Sequence, residues 1–366
     1  MNNIELNGIR ESRNSDLSLG LSAIEVSLRT KIKLYKKRAD EIEKYLTRHP
    51  DEWGKFQHEF NSEVNNIFRD IMTYEKINLS KGNVEKVYKL KKLFIRRIRK
   101  LFMRKEYSEW SIKKPFGYAG DYKIIDDIYV NDPKTTGFDR LFDNYYQMSA
   151  ISVGVRNRKG DFNKIISDYV KKSKKKVIRI MNLACGSCRD MQELLSHNML
   201  SGKEVIFDCY DNEDRALDYA KSILKPYSNI NYIKENVIRL AATKHITSKV
   251  EKRYDLIYST GLFDYLNNKI AIRLIENLRS LLKIDAILII SNVRNKYSNP
   301  SVHYMEWAGE WNLVYRSDGE LKKIFIEAGF RNDELKTQYE QQGIMLYIIA
   351  HNTRDPNNKS TLNELK

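Results

Sequence analysis

From Val177 onward the sequence alternates short apolar runs with amphipathic segments, and this alternation restricts the fold more than any other feature. The first predicted strand begins at Val177, and four more are predicted at 204–210, 230–233, 254–259 and 286–290. Strands that alternate with helices predict a parallel sheet covered by helices on both faces. Two further runs, 334–339 and 344–350, flank Gln341-Gln342-Gly343 and predict a closing hairpin.

The first half of the chain predicts helices instead. Apolar residues recur every three or four positions over 19–48, 51–75 and 84–105. A longer helical stretch is predicted over 138–169, with an interruption near Gly154. We therefore expect a flexible tail at 1–18, a helical domain at 19–112, a lid loop with connecting helices at 113–172, and a sheet domain at 173–366.

Composition limits the classes of protein that this chain can belong to. Among 366 residues, 42% are hydrophobic and 31% are charged, which is typical of a globular protein. No run approaches the roughly 18 apolar residues of a membrane span, and no signal peptide is visible. Three cysteines favour a reducing, cytoplasmic setting. The net charge of +16 has two readings, solvated Lys/Arg faces or an anionic partner.

Polar residues follow the first four predicted strands in a pattern that suits a nucleotide-like ligand. The first strand runs into the small-residue turn 182–188, where the backbone can approach a ligand closely. Asp211 ends the second strand, 25 residues after Gly186, where its carboxylate can accept bonds from ribose hydroxyls. Asn236 follows the third strand and can both donate to and accept from an adenine edge. Ser259 ends the fourth strand.

Together these features resemble the class I S-adenosylmethionine-dependent methyltransferases, whose seventh strand inserts antiparallel. The resemblance implies an α/β, Rossmann-like, seven-stranded sheet, mostly parallel with an antiparallel last strand, beside an N-terminal helical domain. It also implies an enzyme of class EC 2.1.1 that uses S-adenosyl-L-methionine and no metal. The implied cofactor-binding residues are Asn182, Ala184, Cys185, Gly186, Asp190, Asp211, Asn212, Asn236, Val237, Ser259, Arg156 and Asp121.

The turn departs from the family pattern in two ways. Ala184 and Cys188 stand where glycine is usual, and their side chains favour ordinary backbone angles or a wider cofactor approach. Cys185 and Cys188 also form a Cys-x-x-Cys, for which a redox or zinc role is an alternative.

A narrower resemblance lies outside the predicted sheet core. The segments 114–122 (KPFGYAGDY), 155–158 (VRNR), 305–307 (MEW) and 311–316 (WNLVYR) resemble a bacterial methyltransferase family that makes the 3-hydroxypalmitic acid methyl ester signal. The resemblance implies carboxyl O-methylation of a fatty or hydroxy-fatty acid. The candidate catalytic or acceptor-binding residues are Tyr118, Tyr122, Arg316, Glu306 and His303. Arg156 or Arg158 could bind a carboxylate of cofactor or acceptor.

The sequence leaves two other functions open. The net charge favours an RNA or other nucleic-acid methyltransferase, although no Asn-Pro-Pro-Tyr-like site follows the fourth strand. The third interpretation is a non-catalytic protein. Such a protein could bind the cofactor as a regulator, or it could form a homodimer through the N-terminal helices. A carboxylate acceptor needs no general base, whereas a hydroxyl or amine would need one from His303, Glu306 or Asp264.

Overall fold

The computed structural model describes residues 5–200 and 202–354, with the backbone alone for 5–22 and 105–106. The described residues divide into two compact units, each discontinuous in the chain. The helical unit contains 5–119, 132–149 and 300–311, and the sheet unit contains 120–131, 150–299 and 312–354. The sequence predicts contiguous segments with boundaries at 112 and 172 instead. Within the described residues, no helix combines the length and apolar character needed to cross a membrane.

The sheet unit is built on seven strands. They are β1 (Val177–Leu183), β2 (Glu204–Asp211), β3 (Ile230–Lys234), β4 (Tyr254–Ser259), β5 (Leu282–Val293), β6 (Leu335–Tyr339) and β7 (Met345–Asn352). Their order across the sheet is β3-β2-β1-β4-β5-β7-β6. The first five strands pair in parallel, and β7 pairs antiparallel with both β5 and β6. This confirms the predicted Rossmann-like sheet of seven strands, mostly parallel with an antiparallel last strand.

The α-helices are numbered along the whole chain. Their bounds are α1 (Glu5–Arg48), α2 (Gly54–Ser80), α3 (Val84–Leu93), α4 (Lys105–Lys113), α5 (Tyr122–Val130), α6 (Gly137–Met148), α7 (Ala150–Lys172), α8 (Arg189–Ser196), α9 (Asp214–Ile223), α10 (Val237–Ala242), α11 (Ile246–Lys249), α12 (Asn268–Ser280) and α13 (Asp318–Glu327). Helices α1 to α4 and α6 belong to the helical unit, and the others belong to the sheet unit.

Aromatic side chains form much of the core of the helical unit. Tyr304 packs edge-on against Phe68 and Tyr145, with ring centroids 5.6 and 4.9 Å away. Trp307 packs edge-on against Phe94 at 5.9 Å. The segment Tyr304–Ala308 is a π-helical turn with every residue buried. This segment follows β5 in the chain but completes the core of the helical unit.

Three helical predictions are wrong in detail. The predicted flexible tail at 1–18 is helical from Glu5, because no proline interrupts the backbone ladder before His49-Pro50; residues 1–4 lie outside the described part. The predicted helix 84–105 ends at Leu93 and continues as short π- and 3₁₀-turns. Phe94 and Phe102 stack there at 5.9 Å, whereas an unbroken helix separates residues eight apart by about 12 Å.

The third difference concerns the stretch 138–169, which is interrupted at Ser149 rather than near Gly154. Ser149 has an extended backbone with ψ of 144°, and its hydroxyl donates to the carbonyl of Tyr146 at 2.7 Å. This local bond competes with continuation of the helix.

A buried carboxylate ties β1, β4 and β5 together near their amino ends. Asp255 accepts hydrogen bonds from the backbone amide of Arg179 at 2.9 Å and from the ammonium groups of Lys175 and Lys283, both at 2.7 Å. Burial raises the pKa of Asp255, but these three donors outweigh burial and hold the pKa below its ordinary value.

We predict that Asp255→Asn lowers the free energy of unfolding by about 1–3 kcal/mol at pH 7, because buried donors lose their charged acceptor. Since the pKa is depressed in the folded state, this stabilisation is present above the unfolded pKa of about 3.9 and is lost as the pH falls through the folded pKa. Urea denaturation across pH 3–7 measures the difference. Glu276→Gln, in an exposed pair with Arg273, is the control; an equal effect there would contradict the prediction.

Candidate functional site

The turn between β1 and α8 has a glycine-type backbone even where glycine is absent. Ala184, Gly186 and Cys188 have φ angles of 53°, 55° and 54°. Of the two expected alternatives, ordinary backbone angles at Ala184 and Cys188 are therefore wrong, and a wider cofactor approach stays a prediction. A left-handed conformation costs a non-glycine residue about 1–2 kcal/mol. The amide of Cys188 closes the turn by donating to the carbonyl of Cys185 at 3.0 Å.

Asp211 joins this turn to the carboxyl end of β2. Its Oδ2 accepts the backbone amide of Gly186 at 2.9 Å, and its Oδ1 accepts the amide of Glu213 at 3.0 Å. The amide of Cys185 donates to the carbonyl of Tyr210 at 3.0 Å and fixes the same junction. Burial raises the pKa of Asp211, although the amide of Gly186 opposes this effect. The backbone amides of Glu213 and Asn212 also stabilise the charged form. A carboxylate has about four lone-pair sites, so acceptor capacity remains for a ligand hydroxyl.

The three cysteines are buried free thiols, with Cys185 and Cys188 in the turn and Cys209 on β2. The hydrogen bond with Cys188, together with burial, raises the pKa of Cys185 well above its ordinary value. The pKa values of Cys188 and Cys209 are also raised. A buried thiol that stays protonated is a weak nucleophile and a weak metal ligand, which disfavours the redox or zinc interpretation.

The other predicted cofactor residues differ in exposure. Asn182, Asp190 and Ser259 are buried at the carboxyl ends of β1 and β4 or at the start of α8. Asp190 accepts the hydroxyl of Tyr258 at 2.9 Å. The Oγ of Ser259 has no hydrogen-bond partner within the described residues.

Around β2 and β3 the candidates are more open to solvent. Asn212 and Asn236 are exposed, and Val237 is partly buried. Asn236 caps α10, because its Oδ1 accepts the amide of Ile238 at 2.8 Å. Its amide nitrogen is the remaining donor for a base edge.

A buried cation stands beside the loop that follows β4. Arg158 on α7 is 3% exposed, and its Nη1 lies 3.9 Å from Oδ2 of Asp264. Burial raises the pKa of the Tyr129 hydroxyl, and the charge of the nearby Arg158 opposes this effect. The Nε of Arg158 has no partner among the residues described. Burial raises the pKa of Asp264 to about 6, while Arg158 and the amide of Val293 (2.6 Å) oppose it.

Arg156, two positions earlier, is half-buried, and its Nη1 donates to the carbonyl of Ile128 at 3.4 Å. Asp121 caps α5 by accepting the amides of Lys123 and Ile124 at 2.9 and 3.0 Å. Tyr122 lies directly over the turn, since a Cβ placed on Gly186 would be 3.7 Å from the Cβ of Tyr122. Tyr122 therefore lies against the turn between β1 and α8, and Asp121 precedes it at the start of α5.

Arg316 also belongs to the sheet unit, but protein acceptors surround its guanidinium. Nη1 donates to the carbonyl of Phe263 at 2.7 Å and to Oδ1 of Asn292, and Nη2 donates to the carbonyl of Leu266. Nε donates to Oδ1 of Asn268 at 3.1 Å. This geometry favours a role in holding the loop after β4 over the predicted contact with an acceptor.

The remaining acceptor candidates belong to the helical unit. Tyr118 is 38% exposed in the loop after α4. His303 and Glu306 are buried, and Nε2 of His303 lies 3.2 Å from Oε2 of the equally buried Glu75. Glu75 has no signal in the sequence, because it lies 228 positions from His303 on an ordinary helical face. Tyr129 also has no signal in the sequence, because it lies in α5 and no motif connects it to Arg158 on α7.

No protein-family model matches the chain, and no curated protein matches it. The fold does resemble solved structures. A possible exported protein from Bordetella parapertussis matches with a TM-score of 0.53 and 16% identity, over 64% of this chain and 80% of that chain. The CurJ carbon methyltransferase matches with a TM-score of 0.48 and 14% identity, over 93% and 98% of the two chains.

The magnesium protoporphyrin IX methyltransferase from Synechocystis PCC 6803, solved with bound SAH, matches with a TM-score of 0.44 and 12% identity, over 66% of this chain and 96% of that chain. At these identities the likeness concerns the fold alone.

We predict that Ala184→Gly raises the free energy of unfolding by about 1 kcal/mol, because it relieves a left-handed alanine. Thermal and urea denaturation measure the change. Ala220→Gly, within the regular helix α9, is the matched control and is expected to destabilise by at least about 0.5–1 kcal/mol. Destabilisation of both variants to the same extent would show that the turn stores no strain.

Proposed function

We propose that the protein is an S-adenosyl-L-methionine-dependent methyltransferase that acts on a small molecule, with the carboxyl group of a fatty or hydroxy-fatty acid as the leading acceptor. One observation carries this proposal: the carboxylate of Asp211 accepts the amide of Gly186 at the adjoining carboxyl ends of β1 and β2. Ligands of open α/β sheets bind at this edge, next to the point where the strand order reverses.

The residues at this edge have the chemistry that the cofactor requires. Asp211 would accept the ribose hydroxyls with its remaining lone pairs, and the turn at Gly186 would lie beside the methionine part. Asn236 would use its free amide donor on the adenine edge. Arg158 would bind a carboxylate, because its guanidinium is buried and its Nε has no partner in the described part of the chain.

The cofactor supplies an electrophilic methyl group on a sulfonium. The protein has to align the acceptor with that methyl group, exclude water and tolerate the loss of positive charge at sulfur. Asp190 and Ser259 lie at the carboxyl edge of the sheet and give it polar groups, and both side chains are shielded from solvent. An acceptor carboxylate is ionised at neutral pH, so positioning alone suffices and no proton has to be removed.

We predict that Asp211→Asn weakens the binding of S-adenosylhomocysteine about 10- to 100-fold, because a hydrogen bond to a charged acceptor is worth about 1.5–3 kcal/mol. Isothermal titration calorimetry measures the affinity, and circular dichroism checks the fold. Asp214→Asn, at the exposed start of α9, is the control that should bind as the wild type does. Unchanged affinity in Asp211→Asn would refute the assignment of the cofactor site.

We predict that kcat is nearly constant between about pH 7 and pH 8.5 when the acceptor is a carboxylate, because Asp264, with a pKa of about 6, is already ionised there. The measurement is transfer of labelled methyl from the cofactor to a 3-hydroxy fatty acid. The labelled product should release methanol in alkali, as an ester does. A rate that rises with pH and an alkali-stable label would instead identify a hydroxyl or amine acceptor.

A further inference from the structure

Within the sheet unit, the buried carboxylate of Asp126 accepts hydrogen bonds from Arg189 and Tyr219, which lie on two other helices. Asp126 on α5 is 3% exposed. The guanidinium of Arg189 binds it in bidentate fashion, with Nε to Oδ1 and Nη2 to Oδ2 both at 2.9 Å. The hydroxyl of Tyr219 donates to the same Oδ2 at 2.6 Å. Arg189 also donates to Tyr219 at 2.9 Å, so the three side chains form a closed triangle.

The triangle connects the elements that form the cofactor edge. Arg189 is the first residue of α8 and directly follows Cys188 of the turn. Tyr219 lies on α9, the helix that follows Asp211. Asp126 lies in the middle of α5. The turn, the ribose-binding acid and α5 are therefore joined through one carboxylate.

The position of α5 makes this connection relevant to the ligand. Asp121 caps the helix, and Tyr122 follows it directly over Gly186. The rings of Tyr122 and Tyr219 lie 5.7 Å apart, so the start of α5 also packs against α9. Separation of α5 from α8 and α9 would uncover the backbone of the turn.

We propose that Asp126, Arg189 and Tyr219 form a clamp that holds α5 against the cofactor turn, and that these positioning residues set how fast the cofactor is released. The inference rests on the proposed function. None of the three residues is assigned to the reacting atoms, so the clamp acts through Tyr122 and the turn. A bidentate guanidinium–carboxylate pair in a buried setting gives the clamp both strength and a fixed geometry.

The protonation states of the members suit the clamp. Burial and the hydrogen bond to Asp126 raise the pKa of Tyr219 to about 12, so its hydroxyl remains a donor at neutral pH. Arg189 is fully charged, since its pKa is raised mainly by the bond to Asp126. Both donors of the clamp therefore keep their protons across the pH range in which the enzyme would be assayed.

Tyr219→Phe and Asp126→Asn test the clamp in the full chain. We expect the dissociation rate of tritiated S-adenosylmethionine, followed by rapid filtration, to rise about 3- to 10-fold in Tyr219→Phe and further in Asp126→Asn. The rate of a single methyl-transfer turnover at saturating cofactor should stay within about twofold. Amide hydrogen exchange over 122–130, without cofactor, should become faster in both variants.

The control is Asp218→Asn, which removes an exposed pair with Lys221 from the same helix as Tyr219. Its dissociation and exchange rates should equal those of the wild type. Unchanged dissociation and exchange in Tyr219→Phe would overturn the clamp, even if Asp126→Asn fails to fold. If the wild type binds no cofactor, the proposed function fails, whereas hydrogen exchange over 122–130 still reports on the clamp.

Discussion

The hydrogen bond from the amide of Gly186 to Asp211 organises the carboxyl edge of the sheet. It connects the turn after β1 to the residue that ends β2, so the separation of two strand ends and the shape of one turn are fixed together. The carboxylate is buried, and removing it would leave amide donors without an acceptor. The backbone of Ala184 and Cys188 keeps left-handed angles within this frame, and the strain persists because the surroundings over-determine the turn.

Buried polar groups inside the sheet unit differ in how far the described residues satisfy them. At the amino edge, Asp255 is fully satisfied by two lysines and one amide, and the arrangement stabilises the fold. At the carboxyl edge, Ser259 and Arg158 retain donors that no described residue accepts. Buried polar groups are normally paired, and exceptions concentrate where a ligand completes the set. An unpaired polar atom also occurs at the amino edge, at Oδ1 of Asn352, which pairs with Ala286 near the start of β5, so unpaired atoms alone do not distinguish the two edges.

The sequence predicts the fold well because the apolar runs that form β1 to β5 are contiguous and strongly periodic. It also identifies Asp211 and the turn as candidates, since both follow directly from strand ends. It does not predict the left-handed angles of Ala184 and Cys188, because these depend on the bond to Asp211 across the sheet. The clamp around Asp126 is equally invisible, since its members are separated by 63 and 93 positions and have no shared spacing.

The assignment of 300–311 to the helical unit has a consequence for synthesis. Tyr304 and Trp307 are central to the aromatic core of that unit, yet they emerge from the ribosome after five strands of the sheet unit. The helical unit therefore cannot complete its core while it is the only part translated, although domains generally fold from the N-terminal end first. Contacts of such long sequence separation also slow folding. Phe68 and Phe94 therefore stay partly exposed to solvent until Tyr304 and Trp307, more than 200 positions downstream, have been translated.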